Sequence, residues 1–241
     1  MSYEIWQGPS ELDGSGIVVL AVDGSKNAKT GPIIQTYILR ADMRPSIAAK
    51  TGHDGPICGD CPNRPRANGT CYVVPFRGPD QAWLDWDTYH KPFRIEQLRN
   101  QGLRLGAYGD PAAAPFEIWE PLAKAASTFT GFTHQWRTCD PRFKQLCMAS
   151  CETPEEALEA QAAGWRTYRT TTPWEPNAKG EVTCPNVTKS LTCLACGACN
   201  GTHTGRRGNV TIPVHGSQYK IDRYIALRVE QPQTSPNRIA A

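Results

Sequence analysis

The sequence predicts an α/β fold whose mostly parallel sheet forms a partial or irregular β/α barrel, TIM-like but incomplete, with cysteine-rich metal-binding loops. Short apolar segments alternate with helical ones between Leu103 and His215, which is typical of parallel strands joined by helices. Some connections are too short for a helix, so we expect an irregular barrel. Seven of the ten cysteines fall in two tight groups, and such spacing is typical of metal-binding loops.

The N-terminal part of the chain contains two predicted strands before the first cysteine group. Residues 17–22 and 33–39 are rich in apolar and β-branched side chains, and a polar turn over residues 25–31 joins them. The first cysteine group follows in a proline-rich loop over residues 56–72. We expect one or two helices over residues 81–101, where apolar side chains recur.

The elements become regular from residue 103 onward. Apolar positions over residues 116–126 have helical spacing. Thr153 as N-cap, Pro154 at the first helical position and Glu156 reaching back to the cap predict the start of another helix, and Gly164 predicts its end. The predicted strands cover residues 103–108, 131–136, 145–150, 165–170, 182–184 and 209–215.

Length, charge and composition set the expected organisation. The chain has 241 residues and a formal net charge of +3. We expect one domain over residues 1–229 and a disordered tail over residues 230–241, which is rich in Gln, Pro and Asn. The balanced charge gives no strong nucleic-acid signal, and no signal peptide or membrane-spanning stretch is visible. We therefore expect a cytoplasmic protein, in which clustered cysteines are more often metal ligands than disulfides.

The first cysteine group consists of Cys58, Cys61 and Cys71. Cys58 and Cys61 are separated by two residues, and Cys71 follows just before Tyr72. Three thiolate ligands would leave one iron of a cubic iron–sulfur cluster open to a substrate or cofactor. The alternatives are half of a structural zinc site, whose other ligands lie elsewhere, and free thiols.

The second cysteine group contains four thiols, enough for a complete ligand set. Three of them follow each other with two residues between neighbours, a spacing closer to that of ferredoxins than to that of zinc fingers. Structural zinc is the alternative, and a joint zinc ribbon could also combine Cys58 and Cys61 with Cys196 and Cys199. The group consists of Cys184, Cys193, Cys196 and Cys199.

Further candidate residues lie at the predicted strand ends, where the chemistry of β/α barrels is found. Asp110 could bind an amine or a ribose hydroxyl, or it could be a turn aspartate that caps the following helix. His134 is a candidate proton donor and His215 a candidate cofactor contact, with a hydrogen-bonded core histidine as the alternative for each. Cys151 is a candidate reactive thiol, with a small apolar filler as the alternative.

Four stretches of the sequence resemble a family of uncharacterised bacteriophage proteins described as radical-SAM-like. The resemblance covers residues 25–216, most of the chain. It implies a partial β/α barrel in which three cysteines hold a [4Fe–4S] cluster and S-adenosylmethionine binds the open iron. In radical SAM proteins an electron from the cluster yields a deoxyadenosyl radical that abstracts hydrogen from the substrate. The four stretches are the cysteine loop at 58–72, LRLGAYGDP at 103–111, GFTHQWR at 131–137 and the late cysteine group at 184–199.

The resemblance also implies roles for particular residues and partners. Cys58, Cys61 and Cys71 would hold the cluster, although their spacing departs from that usual in radical SAM proteins. Gly109 and Asp110 resemble the strand end that contacts the methionyl amine. The late cysteines would hold an auxiliary cluster or a structural metal. The expected function is a phage iron–sulfur enzyme that modifies a nucleotide, a nucleic-acid base or a peptide, supplied with electrons by a donor protein. The alternative is a non-catalytic zinc-binding structural or interaction protein.

Overall fold

The chain folds into a mixed α/β structure built on a nine-stranded sheet, counted over the residues that the computed structural model describes. These are residues 1–23, 27–203, 205 and 208–230. Short apolar runs form most of the strands, and β2 is buried along almost its whole length. The strands are β1 Ser2–Pro9, β2 Gly16–Val22, β3 Ile34–Arg40, β4 Gly102–Tyr108, β5 Thr128–Thr133, β6 Met148–Cys151, β7 Thr167–Thr171, β8 Glu181–Thr183 and β9 Asn209–Pro213.

The sheet is mostly parallel, as the sequence predicts. Its strand order is β1-β2-β3-β4-β5-β6-β7-β9-β8. The pairs β1–β2 and β2–β3 are antiparallel, and every pair from β3 to β8 is parallel. In the described part of the chain β1 and β8 are the two edges, so the sheet does not close into a ring.

Helices and short turns of helix connect the strands. Trp119 of α4 is fully buried and donates a hydrogen bond of 2.9 Å from Nε1 to the carbonyl of Pro111. Within the described ranges, none of the helices has the length and apolar character needed to cross a membrane. The helices are α1 Pro45–Thr51, α2 Gly55–Cys58, α3 Gly78–Tyr89, α4 Phe116–Ala125, α5 Pro154–Ala162, α6 Pro185–Lys189, α7 Cys193–Cys196 and α8 Gln218–Glu230, with 3-10 turns at Ile95–Leu98, Pro111–Ala113 and Pro141–Gln145.

Alternation along β4 separates the hydrophobic core from a second face of the sheet. Successive side chains of a strand point to opposite faces. Leu103 and Leu105 are fully buried in the main hydrophobic cluster, which also contains Trp119. Arg104 lies on the other face and borders a cavity. One face of the sheet therefore contributes to stability, and the other is available for a site.

The structure contains all the predicted strands and moves several of their ends. The strand predicted over residues 131–136 is β5 and ends at Thr133, because the N–H of His134 bonds to a carboxylate instead of a neighbouring strand. The strand predicted over 165–170 begins only at Thr167, since the N–H of Trp165 bonds to Ala160 at the end of α5. Strand β1 and helices α1, α2, α6, α7 and α8 were not predicted.

The predicted start of α5 is confirmed, with one correction. Thr153 Oγ1 accepts a hydrogen bond of 3.1 Å from the backbone N–H of Glu156, and Gly164 follows the helix with a φ of 85°. The Glu156 side chain, however, accepts from the N–H of Glu152 at 2.6 Å and does not reach back to the cap residue. Of the predicted tail over 230–241, Glu230 belongs to α8 and the remainder lies outside the described residues.

Candidate functional site

A cavity of about 410 Å³ lies against the sheet face opposite the core helix α4. Its walls come from five neighbouring strands, β4, β5, β6, β7 and β9, and from loops at their ends. Both cysteine groups also border it, through Cys58, Cys61 and Cys71 on one side and Cys184 and Cys193 on the other. The sequence therefore places the two groups around one shared space.

The first cysteine group is shaped by tight turns between α2 and Cys71. The N–H of Cys61 donates to the carbonyl of Cys58 at 3.1 Å, and the N–H of Cys71 donates to Asn63 at 2.8 Å. Between the first two cysteines, Gly59 has a φ of 55°, and a Cβ there would lie 2.5 Å from the Gln135 side chain. Only glycine fits this turn without displacement.

Two basic side chains fix this loop to the rest of the fold. Arg64 forms an ion pair of 2.8 Å with Asp54, whose side chain is 1% exposed, and donates to the carbonyl of Gly59 at 2.6 Å. Lys220 of α8 donates to the carbonyl of Cys71 and to that of Val73 at 3.2 Å. Helix α8 therefore holds the segment that contains Cys71 in place.

The thiols of the first group interact electrostatically. Burial raises the pKa of Cys58 well above its usual value, and the neighbouring Cys61 and Cys71 raise it further. The pKa of Cys71 is also raised, by burial first and by Cys61 in addition. A bound metal would relieve this effect because it stabilises the thiolate form.

All ten cysteines are free thiols in this structure. Within residues 1–23, 27–203, 205 and 208–230, no three His, Cys, Asp or Glu side chains are already arranged to hold a metal ion. The metal-ligand roles predicted for the two groups therefore stay predictions. Any two sulfurs bound to one zinc ion lie within about 4.6 Å of each other, twice the usual bond length, whereas a cubic cluster is a larger body.

The second group is built by backbone bonds to three parts of the fold. The N–H of Cys184 donates to Thr211 of β9 at 2.7 Å, the N–H of Cys193 donates to Lys29 at 3.1 Å, and the carbonyl of Cys199 accepts from Gly131 of β5 at 3.0 Å. These bonds hold the group against the sheet. They also explain why a segment with little regular structure keeps a defined path.

Thiols within the second group are coupled as well. Burial raises the pKa of Cys199, and Cys184, Cys193 and Cys196 add to the rise. Burial also raises the pKa of Cys193, while the guanidinium of Arg104 lowers it. Four mutually interacting thiols form a donor set that suits a thiolate-ligated metal centre in type and number.

Asp110 has a structural role that corresponds to its capping alternative. Its Oδ1 accepts from the N–H of Ala112 at 3.0 Å, and its Oδ2 accepts from the N–H of His134 at 2.8 Å. Burial raises its pKa, and a hydrogen bond from the Thr133 side chain opposes the rise. Gly109, which also borders the cavity, approaches Ile38 so closely that a Cβ would lie 2.6 Å from its carbonyl oxygen.

His134 connects the first cysteine group with a carboxylate. Its Nε2 lies 3.9 Å from Sγ of Cys61 and 3.4 Å from Oε1 of Glu152. Burial lowers its pKa, but Cys61 and Glu152 outweigh this effect and the pKa lies well above its usual value. Cys61 and Glu152 both contact Nε2 of His134. In a nucleophilic triad the carboxylate instead bonds to the ring nitrogen that does not face the nucleophile, so these three residues do not have the arrangement of a triad.

The remaining two predicted residues differ in their surroundings. His215 borders the cavity, its Nδ1 lies 3.2 Å from the carbonyl of Pro213, and its ring centroid lies 5.3 Å from that of Tyr72. Burial lowers its pKa, which favours the neutral ring. Cys151 is 1% exposed, and burial raises its pKa to about 12. These values favour the apolar-filler alternative over a reactive thiol.

Several cavity residues were missed from the sequence. Arg104 donates a hydrogen bond from Nη2 to the hydroxyl of Tyr72. The central carbon of its guanidinium group also lies 6.0 Å from the centroid of the Tyr72 ring. Phe132 and Tyr168 form a second aromatic pair, with centroids 4.4 Å apart. The alternation Leu103-Arg104-Leu105 could have indicated Arg104, because it places one charged side chain on the face of the strand opposite to that of two buried leucines.

Comparisons with protein-family models, with curated proteins and with solved structures find no match for this chain. The class of protein that the fold and the site define is therefore an α/β protein with a cysteine-bordered cavity on one face of a mostly parallel sheet.

Proposed function

We propose that the chain is a radical-SAM-like iron–sulfur enzyme of phage origin, working in the host cytoplasm, with the parallel strands forming a partial β/α barrel. The observation that carries the proposal is the meeting of both cysteine groups at one cavity bordered by the strands β4, β5, β6, β7 and β9. In β/α barrels such a place, near the carboxyl ends of the strands, is where catalytic groups gather.

The thiols would hold the metal centres as two separate sets. Cys58, Cys61 and Cys71 supply three ligands, which would leave an iron of a [4Fe–4S] cluster open for S-adenosylmethionine. Such a cluster, when bound, supplies the electron for reductive cleavage of S-adenosylmethionine. The four later cysteines would hold an auxiliary cluster. The electrostatic coupling inside each set supports this division.

The chain's own residues would position the reactants and exclude water from them. Asp110 holds the end of β4 against the residue after β5, and Gly109 allows β4 to approach β3. In the proposal the backbone here and the neutral ring of His215 border S-adenosylmethionine. The apolar wall of the cavity, which includes Phe132 and Val214, excludes water that would quench a reactive intermediate.

The first test is the metal content of protein purified without oxygen. Iron and sulfide with broad absorption near about 400 nm would support the proposal, whereas colourless protein with stoichiometric zinc would overturn it in favour of a structural role. Cys61→Ala should lose the iron of the first set and keep that of the second. Cys139→Ala, a thiol outside both sets, is the matched control and should keep all the iron.

The second test is turnover. The wild-type chain, reduced and supplied with S-adenosylmethionine, should form 5′-deoxyadenosine, and Cys61→Ala should form none. Product formation by Cys61→Ala would refute the ligand assignment, and iron-loaded wild-type protein that forms no product would refute the radical chemistry.

A further inference from the structure

The polar groups that face the cavity show an imbalance of charge. Two acidic side chains border it, Asp110 and Glu152, and both are paired. Asp110 accepts from two backbone N–H groups. Glu152 accepts from Asn63 at 2.7 Å and lies 3.4 Å from His134 and 3.6 Å from Arg228. Among the described residues that line the cavity, no further acidic side chain is present to neutralise a cation on its wall.

Two basic side chains on the same wall have no carboxylate partner among the described residues. Arg104 contacts Tyr72 through its Nη2, and its Nε is buried without a hydrogen-bond partner. Lys29 borders the cavity from the loop before β3. A guanidinium in such a place is a strong binding group for a phosphate or a carboxylate.

Two unpartnered hydroxyls point to a ligand in the same space. Tyr108 is 5% exposed and Thr130 is 3% exposed, both border the cavity, and neither hydroxyl has a partner within the described structure. Thr130 of β5 lies directly beside Arg104 of β4 in the strand register. Buried polar atoms are rarely left unpaired, so a bound molecule is the expected partner.

The apolar part of the wall is aromatic. Tyr72 with His215 and Phe132 with Tyr168 place two ring pairs at the cavity. Flat π-systems bind other flat rings by stacking, and base stacking on aromatic side chains is a sequence-tolerant source of affinity. A ligand with a planar ring and an anionic group therefore matches both halves of the wall.

We propose that the cavity binds a nucleoside monophosphate, with its phosphate on Arg104 and Lys29 and its base against the aromatic pairs. Two cations favour the dianionic phosphate over a single carboxylate. The unpaired hydroxyls of Tyr108 and Thr130 would bond to the ribose or to a base edge. That this ligand is the substrate rests on the proposed radical-SAM-like function, whereas the binding itself depends only on the cavity.

The test is equilibrium dialysis of anaerobically purified, full-length chain against common nucleoside monophosphates and the matching nucleosides. We expect the monophosphates to bind more tightly than the nucleosides. Arg104→Gln should weaken monophosphate binding about ten- to a hundred-fold, as expected for a lost charged hydrogen bond, and weaken nucleoside binding much less. Lys29→Gln, at an exposed loop position, should weaken it less, and exposed Arg99→Gln is the control that should have no effect.

Several results would overturn the inference. Equal affinities for monophosphates and nucleosides would contradict the proposed phosphate site. Unchanged monophosphate affinity in both Arg104→Gln and Lys29→Gln would contradict it as well. If Arg104→Gln instead weakens S-adenosylmethionine binding alone, the guanidinium binds that carboxylate. If it only lowers the metal content of the second cysteine group, its charge serves Cys193. If protein purified without oxygen contains zinc and no iron but still binds the nucleotide tightly, this inference stands and the enzymatic proposal fails. Deoxyadenosine formation without nucleotide binding would do the reverse.

Discussion

The carboxylate of Asp110 accepts a hydrogen bond of 2.8 Å from the backbone N–H of His134. Asp110 follows β4 and His134 follows β5, so this bond joins the ends of two neighbouring strands. The N–H of Asp110 also donates to the carbonyl of Ile57 at 2.6 Å, immediately before Cys58. One residue therefore connects two strand ends with the first cysteine group.

Replacing this carboxylate should destabilise the fold. In Asp110→Ala the N–H groups of Ala112 and His134 lose their acceptor, and we expect a loss of about 2–4 kcal/mol in the free energy of unfolding. Urea unfolding measures it. Asp87→Ala, on an exposed position of α3, is the control and should change stability by less than about 0.5 kcal/mol. Equal effects of the two substitutions would show that the bond contributes nothing.

The close approach of β4 to β3 gives a prediction for Gly109. Gly109 has a φ of 81°, and a Cβ would lie 2.6 Å from the carbonyl oxygen of Ile38. Gly164 has a φ of 85° but no atom within 4 Å of the same position. Gly164→Ala should therefore cost only the backbone strain of about 1–2 kcal/mol, and Gly109→Ala should cost about 1–3 kcal/mol more because of the clash. Thermal unfolding of the two variants compares them, and similar losses would contradict the clash.

Native alkylation tests whether Cys151 is a reactive thiol. Thiolates, not thiols, react with iodoacetamide. Since burial raises the pKa of Cys151 to about 12 and leaves it 1% exposed, we expect mass spectrometry to recover it unmodified at neutral pH. The same chain in urea, where all cysteines become modified, is the control. Fast labelling of Cys151 in the native protein would restore it as a catalytic candidate.

Local patterns in the sequence identify the parallel part of the fold, and non-local contacts explain what they miss. The Thr153 cap and the alternation around Arg104 act within a few residues, so they can be interpreted without a structure. Strand β1 is different. It contains polar residues such as Glu4, whose Oε2 accepts from Nε1 of Trp86 at 2.6 Å, 82 positions away. A partner so remote leaves no local pattern.

The same division applies to the site. Cysteine spacing predicts the two sets of thiols, and the shared direction of parallel strands predicts that polar residues at the strand ends lie together. They do not predict which polar atoms stay unpaired there. Asp110 is occupied because β5 ends where it does, and Glu152, the other acidic residue at the cavity, pairs with His134 and Arg228. These outcomes depend on where several elements meet.

An ion pair across β9 fixes the edge strand that leads to Cys184. Arg169 of β7 is fully buried and bonds to Glu181 of β8 at 2.9 and 2.7 Å, although β9 lies between the two strands. Burial raises the pKa of Glu181, but the hydrogen bonds from Arg169 and from the N–H of Ala178 outweigh it, and the pKa lies below its usual value. The pair therefore stabilises the fold above the ordinary glutamate pKa, and this contribution is lost as the pH falls.

Glu181→Gln should accordingly destabilise the chain by about 3 kcal/mol at neutral pH, the lower end for a broken buried pair, because Glu175 still contacts Arg169. The difference in Tm between wild type and variant should shrink as the pH falls below the ordinary glutamate pKa and through the lowered pKa of Glu181 in the folded chain, where wild-type Glu181 becomes protonated. Thermal unfolding over a pH series measures it, with exposed Glu155→Gln as the control. A gap that stays constant or widens in acid would show that the charge on Glu181 does not stabilise β8, and the path to Cys184 would then depend on backbone bonds alone.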